Sequence, residues 1–145
     1  MTTYTVDRSA VSRQSANALF ARLLDAASWP DWSGHRAAAV VTPSPTANGV
    51  GEVRRFSKNG MATVERVVVA ADPHTFSYEL ISGVPVKNYV GTVTLTSLES
   101  GGCRINWRST FDGKYPLVGA LVKMALDVFI GRAARDLATA EPLPE

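Results

Sequence analysis

A chain of 145 residues, 46% hydrophobic and 19% charged, is long and apolar enough for one domain with a full core. Its formal charge of +2 is too small to imply a phosphate-binding surface, so no nucleic-acid partner is expected, and a solvated sheet face accounts for Arg55, Arg66, Arg104 and Arg108. The single cysteine, Cys103, excludes an internal disulfide, and with only His35 and His74 beside it no metal site is expected.

Met1 to Arg8 is polar and alternating and lacks the basic start and apolar stretch of a secretory signal, which makes a cytoplasmic location the expectation. Tyr4-Thr5-Val6 reads as a short strand. From Ser12 onward the period becomes helical, with Ala16, Leu19, Phe20, Leu23 and Leu24 on one face, Ser12 available as N-cap and an end near Asp25. Trp29-Pro30-Asp31-Trp32 interrupts that helix with a proline and two large apolar rings. Ala37 to Val41 reads as a strand, and the segment from Thr42 to Gly49 as a loop.

Between Gly51 and Phe111 the pattern is an antiparallel meander, punctuated at Asn59-Gly60, Asp72-Pro73, Gly83-Val84-Pro85 and Glu99-Ser100-Gly101-Gly102. Asn59-Gly60 predicts a two-residue type I′ turn. That turn pairs Lys58 with Met61 and sets Phe56 opposite Thr63, Arg54 opposite Glu65 and Glu52 opposite Val67, with Arg54, Phe56, Glu65 and Val67 on one face. Farther on, pairing Leu98 with Gly102 sets Leu95 opposite Ile105 and Val93 opposite Trp107. A long helix is predicted from Leu117 to about Ala140, with Leu117, Leu121, Met124, Val128 and Phe129 near one stripe that Val118, Val122, Ala125 and Leu126 widen. The extra width lines a cavity, packs on the sheet or meets a second protomer, and all three readings stay open. No apolar run reaches membrane-spanning length, and residues 141–145 read as a frayed tail.

This order of elements resembles the helix-grip fold of the START-like superfamily, in its polyketide cyclase/dehydrase-type branch, also called SRPBCC. The resemblance is carried by Trp29-Pro30-Asp31-Trp32, by Gly51-Glu52-Val53-Arg54 leading into Glu65-Arg66-Val67, by Asp72-Pro73 followed by Phe76-Ser77-Tyr78, and by Ile105-Asn106-Trp107-Arg108-Ser109-Thr110-Phe111. It covers nearly the whole chain. It implies a single α+β domain over residues 1–145, with a curved antiparallel sheet of about seven strands, two short helices after the first strand, and a long C-terminal helix gripped by the sheet. An apolar chamber between sheet and helix is implied with it.

Only one face of the first hairpin can look into such a chamber. The face with Arg55 and Arg66 has no facing acid, whereas Arg54 and Glu65 neutralise each other, so these two are expected inward. They are read either as a structural cross-strand ion pair or as polar anchors and catalysts, with Glu65 a general acid or base and Arg54 the stabiliser of an enolate. Phe56, Val67, Tyr78, Tyr89, Val93, Trp107, Leu121 and Met124 complete the candidate ligand wall. Tyr78 and Tyr89 serve equally well as ligand donors or bonded core tyrosines, and Trp32 as a closure of the mouth or as turn packing. His35 and His74 have no triad or ligand companions and are assigned to the surface, Cys103 is read as a buried inert thiol, and Ser109 has no activating base. There is no Gly-rich phosphate loop, and no cofactor is expected. The leading functional reading is binding of an apolar, ring-containing small molecule, lipid- or polyketide-like. The alternatives are a cyclase/dehydratase-type enzyme and a homodimeric interaction module.

Overall fold

Alternation of inward and outward side chains continues for ten residues at the start of the chain and makes Thr3–Ser12 the first strand, β1. The computed structural model describes residues 2–144. β1 is longer than Tyr4-Thr5-Val6 because its inward set, Tyr4, Val6, Arg8, Ala10 and Ser12, includes polar residues that hide the period. Each finds a partner on the last helix. Arg8 Nη1 donates to the Asp127 carbonyl at 2.8 Å, and Ser12 Oγ donates to the Ala138 carbonyl at 2.5 Å. Ser12 is thus engaged elsewhere, and the cap of α1 (Ala16–Leu24) is Ser15, whose hydroxyl accepts from the Ala18 N–H.

A short 3-10 turn over Ala26–Ser28 leads into α2 (Trp29–Trp32), where Pro30 occupies a first-turn position that needs no N–H. There follow β2 (Ala37–Thr42), β3 (Val53–Lys58), β4 (Met61–Ala71), β5 (Thr75–Ser82), β6 (Val86–Ser97), β7 (Cys103–Gly113) and α3 (Pro116–Ala138). One seven-stranded sheet has the order β1-β7-β6-β5-β4-β3-β2, with antiparallel pairing throughout. It curves around α3. This is the helix-grip fold.

Asn59 (φ 52°) and Gly60 (φ 78°) are both left-handed, as the type I′ turn requires. Arg54 pairs with Glu65, Phe56 with Thr63 and Lys58 with Met61, and the Val67 N–H bonds to the Glu52 carbonyl. In β6 and β7, Leu95 pairs with Ile105 and Val93 with Trp107. The outward arginines behave as surface groups: Arg66 pairs with Glu79 on the outer face. The core lies on the inner face, around Leu19, Phe20, Leu23, Phe76, Val93, Ile105, Trp107 and Phe111.

α3 corrects two expectations. Leu121 and Met124 are 65% and 69% exposed, and Leu117 also faces outward, while the exposed Val128 lies at the cavity edge. The helix docks instead through Gly119, Ile130, Gly131, Ala133, Ala134 and Leu137. Space decides its rotation: a Cβ at Gly119 would lie 2.6 Å from the Tyr4 ring, and one at Gly131 2.6 Å from the Arg8 guanidinium. A bulkier face could not approach β1. No helix among the described residues is long and apolar enough to cross a membrane. At the C-terminus Arg22 Nε donates to the Glu141 carbonyl at 2.6 Å and Ala140 is buried, so the segment expected to fray is held at its start, while Glu145 lies outside the described residues.

Candidate ligand cavity

Between the inner face of the sheet, α2 and α3 lies a cavity of about 440 Å³. The sheet contributes Phe56, Glu65, Tyr78, Leu80, Tyr89 and Trp107; α2 and the loop after it contribute Trp29, Trp32 and His35; α3 contributes Leu126, Phe129 and Ala133. Asn59, Met61, Gly83 and Arg132 line it while remaining exposed, and they mark the mouth beside the β3–β4 turn. Its wall is mainly apolar and aromatic, as sites for small molecules are.

Of the residues expected at the site, Phe56, Glu65, Tyr78, Tyr89 and Trp107 border this space. Val67 and Val93 do not. They are buried in the core, Val93 between Phe76 and Trp107 in register and Val67 beside Tyr78. Leu121 and Met124 are excluded by the rotation of α3. Trp29, Leu80, Phe129 and His35 line the cavity without having been expected there, and His35 had been assigned to the surface. Its ring packs 5.1 Å from Phe56 and edge-on to Phe129 at 5.7 Å, and its Nδ1 lies 2.9 Å from the Ser33 hydroxyl. Burial, and then the charge of Lys58, lowers its pKa and keeps the imidazole neutral at neutral pH. These companions come from separate elements, so no spacing in the sequence announces them. His74, by contrast, is exposed, and Cys103 is fully buried.

Arg54 is inward and 2% exposed, but it is not in the cavity wall and forms no ion pair with Glu65. Its Nε donates to Glu52 at 2.7 Å, Nη1 to the Leu23 carbonyl at 2.6 Å and Nη2 to the Leu24 carbonyl at 2.5 Å. The Phe76 ring covers it, with its centroid 5.2 Å from Cζ. Burial pulls the arginine's pKa down while Glu52 acts in the opposite sense. The expected cross-strand pair is therefore replaced by a brace between β3 and the end of α1. The two side chains share a register position without sharing a bond.

Glu65 is left as a half-buried carboxyl lining a mainly apolar chamber. Among the described residues it has no hydrogen-bond or ion-pair partner. Burial raises its pKa from the ordinary 4.5 to about 7, although the charge of Arg54 acts to lower it. Tyr78 and Tyr89 stand beside it, their ring centroids 6.3 Å apart. Trp107 Nε1 donates to the Tyr78 oxygen at 3.0 Å, whereas the Tyr89 hydroxyl donates to Ser109 at 2.8 Å. Burial first, then the proximity of Tyr89 and Glu65, pushes Tyr78 well above the usual tyrosine value. It also pushes Tyr89 up to about 12, so both remain phenols. Tyr78 lies flat across the neighbouring strand because its register partner is Gly91; a Cβ there would fall 2.3 Å from Cζ of its ring. No three His, Cys, Asp or Glu side chains gather to hold a metal ion among the described residues.

Known structures share the fold. A START superfamily protein from Mycobacterium smegmatis superposes with a TM-score of 0.78 at 14% identity, covering 92% of this chain and 94% of that one. A protein from Thermobifida fusca gives 0.76 at 20% identity over 92% and 90% of the two chains. XoxI from Bacillus cereus gives 0.72 at 20% identity over 95% and 94%. No curated protein matches by sequence. Residues 3–140 match the family model described as polyketide cyclase / dehydrase and lipid transport, which spans the sheet, the cavity and the gripped helix together. On that match the chain belongs to the polyketide cyclase / dehydrase and lipid transport family of the START-like (SRPBCC) superfamily.

Proposed function

We propose that the protein binds an apolar, ring-containing small molecule in the cavity between the sheet and α3. The observation that carries this reading is the wall itself: about 440 Å³ enclosed by Trp29, Phe56, Tyr78, Tyr89, Trp107 and Phe129, with few polar groups among them. Flat aromatic walls favour rings over flexible chains, since a rigid ligand loses less conformational freedom on entry. Native mass spectrometry of freshly purified protein, with extraction of retained compounds, is expected to find about one ring-bearing molecule per chain. Calorimetric titration with naphthylmethanol is expected to saturate at the same stoichiometry. Neither a retained compound nor saturable binding would overturn the reading.

A second reading, an enzyme of cyclase/dehydratase type, is favoured by the state of Glu65. An unpaired carboxyl with a pKa of about 7 is suited to give or take a proton at neutral pH, which a salt-bridged one would not be. Arg54 has no part in this chemistry, because its donors are already engaged. The Tyr78 hydroxyl is the group that could support a developing enolate. Turnover of an aromatic polyketide-like substrate is expected to fall by about 10²-fold or more in Glu65→Gln, with binding retained. Unchanged turnover in that variant removes Glu65 from the mechanism.

A further inference from the structure

Resting on the binding reading above, we propose that Glu65, Tyr78 and Tyr89 form a polar end of the cavity that accepts a hydroxyl or an ammonium group of the ligand and rejects a carboxylate. The Tyr78 oxygen already accepts from Trp107, and its own O–H is shared between the Tyr89 oxygen and the cavity. Tyr89 gives its proton to Ser109 and presents lone pairs. Glu65 presents a carboxyl with no partner among the described residues. Acceptors dominate around Glu65, and among the described residues no cation forms an ion pair with it.

The nearest candidate cation is withdrawn. Arg54, on the adjacent strand, directs its donors to Glu52 and to the carbonyls of Leu23 and Leu24. The other charged or titratable groups lining the cavity are Lys58 of β3, Arg132 and Asp136 of α3, and His35, which is neutral at neutral pH. A ligand carboxylate placed against Glu65 would thus meet a second acid in a mainly apolar space with no hydrogen-bonded counter-ion. An ammonium there would supply the missing partner, and a hydroxyl can both donate to Glu65 and accept from Tyr78.

Charge at Glu65 also makes the preference depend on pH. The carboxyl titrates near neutrality, with burial the main cause. Between about pH 6 and about pH 8 its ionised fraction rises from about a tenth to about nine tenths. An ammonium ligand needs the ionised form, and a carboxylate ligand needs the protonated one.

The test uses three matched probes on the intact protein, naphthylmethanol, naphthylmethylamine and naphthoate, titrated at about pH 6 and about pH 8. The amine is expected to bind about tenfold more tightly at the higher pH and naphthoate about tenfold more weakly, while the alcohol changes by less than about twofold. Glu65→Gln is expected to abolish both opposite trends, and Tyr78→Phe to weaken the alcohol selectively. Saturable binding of the alcohol with no discrimination between amine and naphthoate overturns this inference and leaves the binding reading standing. Failure of all three probes to bind removes both.

Discussion

An arginine enclosed by protein is tolerable only when its donors are met, because stripping water from a guanidinium costs several kcal/mol. Arg54 meets that condition with Glu52 and with two carbonyls at the C-terminal end of α1, groups that lack helical partners and lie at the negative end of the helix dipole. The residue therefore holds the first hairpin to the first helix. Arg54→Met is expected to destabilise the fold by about 3–5 kcal/mol, since it strands Glu52 and the Leu24 carbonyl, while the Leu23 carbonyl keeps the Trp29 indole N–H as a donor. The midpoint of urea unfolding measures this. Adding Glu52→Gln should recover part of the loss by removing the stranded charge, and a single-variant effect below about 1 kcal/mol would show that the brace carries no weight. Cross-strand logic paired Arg54 with Glu65 because it considered the sheet alone. Register is local information, whereas the end of α1 reaches Arg54 only through tertiary folding.

At the level of elements, what the sequence made legible and what it hid have separate physical causes. Asn59-Gly60 fixes the β3–β4 register because a two-residue turn with left-handed backbone leaves one pairing, and the observed pairs follow it. The β6–β7 register was equally legible, since inward apolar residues on both strands agree with one loop length. Rotation of α3 was not. Its sequence is apolar around much of the circumference, so periodicity offered more than one inward face, and the choice falls to Gly119 and Gly131 against Tyr4 and Arg8. Those partners lie at the other end of the chain, and their fit is a matter of ångströms. This explains why Phe56, Tyr78, Tyr89 and Trp107 were found at the cavity from strand alternation while Leu121 and Met124 were misplaced on the helix. His35 escaped for a related reason: a loop has no period, and only the packing of Phe56 and Phe129 around it gives it a direction.

For the whole molecule, a chamber with a carboxyl inside it is a structural cost that a solid apolar core would avoid, and sites held for function commonly carry such costs. The size of this one depends on pH in a direction that can be worked out. Unfolded, Glu65 titrates near its ordinary 4.5; folded, burial holds it at about 7. Between these values the native protein binds more protons than the unfolded chain, so stability falls as pH rises through the window. The protonated group carries no such penalty below about pH 4.5, and the penalty is complete above about pH 7. The difference between wild type and Glu65→Gln isolates this one group. Urea unfolding at a series of pH values is expected to show the variant gaining on wild type from about pH 4.5 to about pH 7, with a constant gap above that. A gap that stays level across the window would mean that Glu65 ionises inside the fold at no cost. The chamber would then have to hold a counter-charge or water at that end, and the preference for an ammonium over a carboxylate would lose its electrostatic basis.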